Sequence, residues 1–471
     1  MITRTCGQIA QMVGKSLTDA GSPSGTDVTE IVVKGVCFDT RNIKPGNLFV
    51  PLIGQRDGHD YVLEALAKGA AAALWQIGRP KPEDGLPLIE VDDTLEALQQ
   101  LAHAYRNELP VRIVGITGSN GKTTTKDLTA SLLGTTYKVH KTAGNLNNHI
   151  GLPMTLLEMD EQTEMAVLEM GMSGRGEIEL LSRIAEPEAV IVTNIGEAHL
   201  LQLGTREEIA RAKTEILSGL KPDGFFVYNG DEPLIEQVLP DMPQPASMLR
   251  YRFGASDRND LYPVGVMQDG EGTHFQTNLP GSRSFYIPLL GLHNVVNALA
   301  AIAVAKFMGV CDDELDQGLK DVELTSMRIE PVKLKNGAFL LNDAYNASPT
   351  SMQAGLSLLT ELKGYSRKFA VLGDMLELGP SEEEFHREIG RGLDPESIDG
   401  VFTYGKLARN IAEEAAVRFG GERVRPFDDK ADLIRELRGL LKEGDAVIVK
   451  GSRGMRLEEV IHALQAEDET V

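Results

Sequence analysis

From about residue 110 onward the chain alternates short apolar runs with segments of helical period, and most of the runs close on glycine or a polar residue. One series holds VRIVGITG (111–118), AVLEMG (166–171), AVIVTNIG (189–196) and GFFVYNGDE (224–232). A second holds FLLNDAYN (339–346), KFAVLGDM (368–375), GVFTYG (400–405) and DAVIVKGS (445–452). Apolar strands without polar interruption must be covered on both faces, so the pattern predicts an α/β chain with mostly parallel sheets. In such sheets the ligand sits at the carboxyl ends of the strands, where these runs place Gly, Asn and Glu.

Length fixes how the series are divided. At 471 residues, and about 150 per domain, three domains are expected. The first ninety residues read as a small α/β unit ending in GRPKPEDGLPLIEVDD (78–93), which places domains at 1–92, 93–327 and 328–471. The second is predicted to be a phosphate-loop domain and the third a doubly wound, Rossmann-like sheet. Turns around HFQTNLPGSRSFYIPL predict a small antiparallel insertion within residues 250–290. The formal charge of −22 would repel nucleic-acid backbones and anionic lipid, so neither is an expected partner. No apolar run approaches the roughly 20 residues of a membrane span, and MITRTCGQIAQMVGK lacks the apolar stretch of a secretory signal. A cytoplasmic location is expected, with Cys6, Cys37 and Cys311 reduced.

The strongest local signal is GITGSNGKTTTK (115–126), which follows an apolar strand and opens a helix-compatible segment. Gly118 and Gly121 would let backbone N–H groups close around polyphosphate, Lys122 would add charge, and the Thr123 hydroxyl would reach magnesium. ATP is the expected ligand, although Ile116 stands where the strict pattern has its first Gly. Glu169 and His199 end later apolar runs and are candidate magnesium ligands, though a Glu there can cap a helix and a His can simply be core. Lys213 falls on a helix downstream. Asn294 and Asn297 share a helix face from which amides could read an adenine edge, while Asn294 could equally be a cap. Asp343, Asn346 and Ser348 crowd a loop before Pro349 that could equally be only a turn.

The order of TGSNGKTTTK, EMGMSGRGEI, TNIGEAHL, AKTEIL, GLHNVVNALAA, Met327-Arg328, NDAYNASPTSM, LGDMLELG and KGSRGMRLE resembles the Mur ligases, ATP-dependent amide-forming enzymes of peptidoglycan synthesis. GNLNNHIGLP (144–153), DAYNASPTSM and GDMLELG resemble the branch that adds D-alanyl-D-alanine to UDP-N-acetylmuramoyl-tripeptide. The resemblance implies that Thr117, Gly118, Ser119, Asn120, Gly121, Lys122 and Thr123 bind the triphosphate, with Thr123, Glu169 and His199 around magnesium. It implies that Lys213 is carbamylated and holds a second magnesium. It also implies that Asn294 and Asn297 contact ATP, and that Arg328 and Asp343 close over it. Asp39, Thr40 and Arg41, with Gly58 and His59 nearby, lie in a stretch resembling the UDP-binding region. Asn145, Asn147 and Asn148 are expected on the sugar nucleotide or its peptide; Asn346, Ser348 and Arg453 are the expected neighbourhood of the dipeptide. A monomer is expected.

The alternatives are a third-amino-acid-adding ligase, for which no DNPR string is present, and a folylpolyglutamate-synthetase-like ligase, which would carry its phosphate loop nearer the N-terminus. A nucleotide switch would hydrolyse ATP without joining substrates. A dehydrogenase would need GxGxxG after a strand, and neither series has it.

Overall fold

The computed structural model describes residues 1–15, 27–82, 87–269, 271–281 and 283–466. Part of the expected first linker, residues 83–86, therefore lies outside the described residues.

The first unit pairs Thr3–Thr5 with Val32–Lys34 in an antiparallel ribbon and stacks Val36–Cys37, Leu48–Phe49, Ala72–Gln76 and Leu88–Val91 in a parallel sheet. Asp93 then caps the helix Thr94–Glu108 through the amides of Leu95 and Glu96, an arrangement that satisfies donors left over in the first turn.

The central sheet has six parallel strands in the order Leu249–Phe253, Phe225–Asn229, Ala189–Val192, Arg112–Thr117, Met165–Glu169, Val139–Lys141. Arg112–Thr117 is the interior strand from which the chain winds first to one side and then to the other, so the crevice at its carboxyl end is a switch point suited to a ligand. Helices Lys122–Gly134 and Leu292–Phe307 cover one face. Helices Gly151–Glu158 and Glu177–Ala185 lie on the other, against Thr94–Glu108. Strands Pro263–Gln268, Thr273–Thr277 and Phe285–Ile287 form the expected antiparallel insertion. Leu249–Phe253, however, belongs to the main sheet: its polar alternation is that of an edge strand with one solvated side, so the insertion begins later than residue 250.

The last sheet runs Glu330–Lys333, Phe339–Asp343, Asp445–Lys450, Arg367–Gly373, Gly400–Tyr404, Val424–Phe427. All its pairings are parallel except that of Glu330–Lys333, an antiparallel edge strand with Pro331 at a position an edge tolerates. One apolar core runs continuously from Ile2 to Met242, so the first unit and one face of the central sheet share their interior. The final sheet has separate cores on its two faces. Among the described residues no helix is long and apolar enough to cross a membrane.

Arg106 ties the shared core together. It is 5% exposed, and its Nε and Nη2 donate to the carbonyls of Ala185 and Glu186 at 2.8 Å each, closing the end of helix Glu177–Ala185. Arg106→Met leaves those carbonyls without their donors and is expected to cost about 2–3 kcal/mol in urea unfolding. A loss below about 0.5 kcal/mol would contradict this account.

Candidate active site

The phosphate loop takes its shape from the neighbouring strand end. Gly118 has φ +147, and a Cβ there would lie 1.8 Å from Thr193 Oγ1. The Thr193 hydroxyl donates to the Asn120 carbonyl at 2.5 Å. The Ser119 and Asn120 amides donate to the Asn194 carbonyl and Oδ1 at 3.0 and 2.9 Å, and the Gly196 amide donates to Ser119 Oγ at 2.8 Å. Gly121, at φ +80, begins the helix Lys122–Gly134, with Asn297 Oδ1 2.5 Å from where its Cβ would be. The turn thus delivers a helix N-terminus, a natural anion site, into the crevice.

Behind the loop, Thr123 Oγ1 donates to Glu169 Oε2 and Asn147 Nδ2 to Glu169 Oε1, both at 2.8 Å; Glu169 is 2% exposed. Lys122 Nζ folds back onto the Gly118 carbonyl at 2.7 Å. Burial lowers its pKa, Glu169 opposes the fall and Arg328 adds to it. Lys213, on helix Arg206–Thr214, is 2% exposed, and its ammonium has no hydrogen bond or ion pair among the described residues. Burial, reinforced by the Lys122 charge, pushes its pKa well below the lysine range. Burial and the charges of Lys213 and Lys122 take His199 down to about 4, so its imidazole is neutral. His199 sits at φ +68, with Nδ1 3.1 Å from Glu377 Oε2 but without hydrogen-bond geometry.

The C-terminal sheet faces the same space. Arg328 stacks on the Tyr345 ring at 4.1 Å, with its Nε buried and unpartnered. Lys450 Nζ donates to Asp343 Oδ2 at 2.6 Å. Thr350 Oγ1 donates to Glu197 Oε2 at 2.7 Å, joining the two domains beside the loop. Together these residues line a cavity of about 660 Å³ that includes Lys122, Glu169, His199, Lys213, Arg328 and Asp343.

The structure places the other expected residues as follows. Asn294 and Asn297 both line the cavity, as expected of residues near the nucleotide; Asn294 Nδ2 donates to the Leu290 carbonyl and Asn297 Nδ2 to Asn294 Oδ1, and Asn297 lies close against Gly121. Asn147 sits on Glu169, at the phosphate end. Asn148 also lines the cavity, its Oδ1 accepting the amides of Ile150 and Gly151 where a helix begins; Asn145 does not line it. Ser348 caps helix Pro349–Glu361 and reaches Asn120 Oδ1 at 3.3 Å; Asn346 lines the cavity, and its Oδ1 accepts the Ala347 amide. Thr117 is buried beneath the loop with its hydroxyl unpartnered. Arg453 reaches Tyr345 from farther away, at 5.9 Å, and pairs with Glu458. Asp39, Thr40 and Arg41 lie in the first unit, outside this cavity: Asp39 caps the turn Thr40–Asn42 and pairs with Arg41, whose side chain is 85% exposed. Sequence reasoning passed over Thr193, Asn194, Tyr345 and Lys450, all of which stood inside quoted motifs.

The donor set suits magnesium held jointly with phosphate. Among the described residues no three His, Cys, Asp or Glu side chains converge, which would be needed for an all-protein cage. One buried carboxylate, a hydroxyl and a neutral imidazole at a phosphate loop instead match a cation that keeps phosphate and water ligands.

A phosphate loop on one parallel sheet, facing cationic and amide side chains from a second sheet across a shared cavity, defines a nucleotide-dependent ligase, and the chain belongs to the Mur ligase family. Family models match as the Mur ligase middle domain over residues 116–305, the Mur ligase glutamate ligase domain over 327–453, and the Mur ligase family catalytic domain over 32–106. A Bacillus subtilis relative named UDP-N-acetylmuramoyl-tripeptide--D-alanyl-D-alanine ligase is 49% identical over 466 residues, 98% of this chain and 99% of its own. A crystal structure of MurF from Acinetobacter baumannii superposes with a TM-score of 0.87 at 28% identity, covering 99% of this chain and 100% of that one. MurF ligase from Thermotoga maritima, solved in complex with ADP, gives 0.81 at 29% identity over 92% of this chain and 97% of that one.

Gly118→Ala drives a methyl group into Thr193 and is expected to weaken nucleotide binding at least about tenfold, read by calorimetric titration with ADP. Binding within twofold of wild type would show that the loop tolerates the contact. A second expectation concerns Asp57, which caps the turn Gly58–Tyr61 in the first unit. Burial alone would raise its pKa, but the His59 amide, the His59 ring and Arg79 outweigh this and hold it down to about 2. Because the folded pKa is depressed, the stabilisation is complete above the unfolded pKa and lost as pH falls through the folded one. Asp57→Asn should therefore cost about 1–2 kcal/mol at pH 6, with the gap to wild type narrowing by about half at pH 3. A gap independent of pH would remove the ionic explanation.

Proposed function

We propose that the protein joins D-alanyl-D-alanine to UDP-N-acetylmuramoyl-tripeptide, using ATP and an acyl-phosphate intermediate, in the synthesis of the peptidoglycan precursor. The observation that carries this reading is the single cavity in which the phosphate loop, Glu169, His199 and Lys213 face Arg328, Asp343 and Asn346 from the C-terminal sheet. The full-length likeness to a ligase of that name supports the choice of substrates. Residues 1–92 hold the uridine end, residues 93–327 the nucleotide triphosphate, and residues 328–471 the incoming amine.

The tripeptide carboxylate attacks the γ-phosphorus of ATP, forming a C–O–P bond as the bond to ADP breaks. The dipeptide amine then attacks the acyl carbon, a C–N bond forms, and inorganic phosphate leaves with loss of one proton from nitrogen. Two anions must meet in the first step. Lys122 and Arg328 lower that barrier by placing positive charge where the phosphoryl oxygens gather negative charge, and the first-turn N–H groups of helix Lys122–Gly134 do the same. Closure of the C-terminal sheet over the cavity excludes water that would hydrolyse the acyl phosphate. Magnesium, held through Thr123, Glu169 and His199, would supply further charge neutralisation.

Among the described residues Lys213 has no counter-ion, and burial lowers its pKa strongly, so its amine is available to carbon dioxide; as a carbamate it becomes an anion able to hold a second magnesium, which would balance a buried charge.

Phosphate release is expected only when tripeptide and dipeptide substrates are both present, with the joined pentapeptide seen by mass spectrometry. Release with neither, or with a folate and glutamate, would defeat the assignment. Lys213→Ala should lower turnover by about a hundredfold or more. Wild type in buffer stripped of carbon dioxide should lose activity that bicarbonate restores; activity indifferent to bicarbonate would count against the carbamate.

A further inference from the structure

The helix behind the phosphate loop carries a buried ion pair that none of these steps uses. Lys126 and Asp127 are each 1% exposed, with Nζ 3.3 Å from Oδ1. A buried pair contributes little net stability, because desolvation offsets the attraction. Its remaining bonds show what else it holds. Asp127 Oδ2 accepts the Thr325 amide at 2.8 Å, and Lys126 Nζ donates to Thr325 Oγ1 at 3.4 Å. Lys141 Nζ bridges Asp127 Oδ1 at 2.9 Å and the Glu323 carbonyl at 3.4 Å. The connection into the C-terminal sheet is thereby fastened to the helix whose first turn meets phosphate.

The other end of the connection is fastened too. Glu330 Oε2 accepts the Met327 amide at 3.0 Å and Asn342 Nδ2 at 3.1 Å, anchoring it to the C-terminal sheet. Between the two anchors, Met327 and Ile329 occupy left-handed backbone conformations, φ +62 and +53, on either side of Arg328. Non-glycine residues rarely adopt that conformation, so two within three residues mark a sharp, defined bend. A second link runs from the pair to the carboxylate: Lys126 Nζ also holds the Thr142 carbonyl at 3.1 Å, and Thr142 Oγ1 accepts the Glu169 amide at 3.0 Å.

We propose that Asp127, with Lys126 as counter-ion, is a positioning residue for Arg328: through Thr325 it fixes the pivot from which Arg328 is carried over the phosphate loop. This rests on the ligase reading above. Misplacing a charge-stabilising group by about 1 Å costs up to about a hundredfold in rate, whereas ground-state nucleotide binding depends on the loop itself. The two roles are separable in kinetics.

Asp127→Asn keeps the size of the side chain and removes its charge. The expected result is a fall in kcat of about tenfold or more, with KM for ATP within about twofold, and partial recovery in Asp127→Glu. Lys141→Met leaves the buried pair intact, since its side chain is 37% exposed, and should give a smaller loss in kcat of the same kind. Small-angle scattering with ADP and magnesium gives a readout apart from turnover: Asp127→Asn should broaden the interdomain distance distribution relative to wild type. An unchanged kcat in folded Asp127→Asn, a fall in kcat matched by a rise in KM for ATP, or an unchanged scattering profile overturns the proposal. If wild type releases no phosphate with both substrates, the ligase reading fails instead, and the scattering comparison still decides the pivot.

Discussion

Thr193 stands where a side chain on residue 118 would be, and the rest of the site follows from that contact. It exists because Arg112–Thr117 and Ala189–Val192 are adjacent parallel strands in a register that pairs Thr117 with Val192, so both chains leave the sheet side by side. The residues after one strand then become the mould for the residues after the other. Asn194 takes up two loop amides and Thr193 one loop carbonyl, which leaves the chain after Gly121 free to start a helix aimed at the crevice. A turn held by its neighbours needs little reorganisation when an anion arrives, and that is the condition under which dipoles stabilise charge most effectively.

The electrostatics of the cavity differ from those of the molecule. The chain carries a formal charge of −22, yet the cavity sets Lys122, Lys213, Arg328 and Lys450 beside two buried carboxylates, Glu169 and Asp343. Burial lowers the proton affinity of Lys122 and Lys213, and the neighbouring charges of Arg328 and Lys122 respectively add to the fall. Of these cations only Lys450 is tied to a carboxylate by an ion pair, to Asp343, among the described residues. The acidic exterior adds solubility and repels polyanions too large to enter.

The sequence was most informative where strands are buried on both faces, because there the apolar run is unbroken. Arg112–Thr117, Met165–Glu169 and Ala189–Val192 could be placed on that ground alone. It was least informative at sheet edges. Val139–Lys141, Leu249–Phe253, Glu330–Lys333 and Val424–Phe427 carry charges or proline, because an edge needs backbone pairing on one side only. The site divides similarly. Lys122 and Glu169 announce themselves by type and position at strand ends. Tyr345 beneath Arg328, or Asp127 on Thr325, has meaning only once distant segments meet, and no local pattern encodes that meeting. Asn294 and Asn297 do share a helix face and both line the cavity, but their closeness to Gly121 is set by packing that no local pattern shows.

The core that runs unbroken from Ile2 to Met242 makes the first unit and the central sheet mechanically one piece, whereas the C-terminal sheet keeps its own interiors and is reached through one bend. The 15-residue helix Thr94–Glu108, about 22 Å long, is the spacer welded between the first two. The separation between the phosphate loop and the first unit is consequently a constant of the molecule. A ligand long enough to touch both would meet them like an object between fixed callipers, with its length compared to a span that the fold sets.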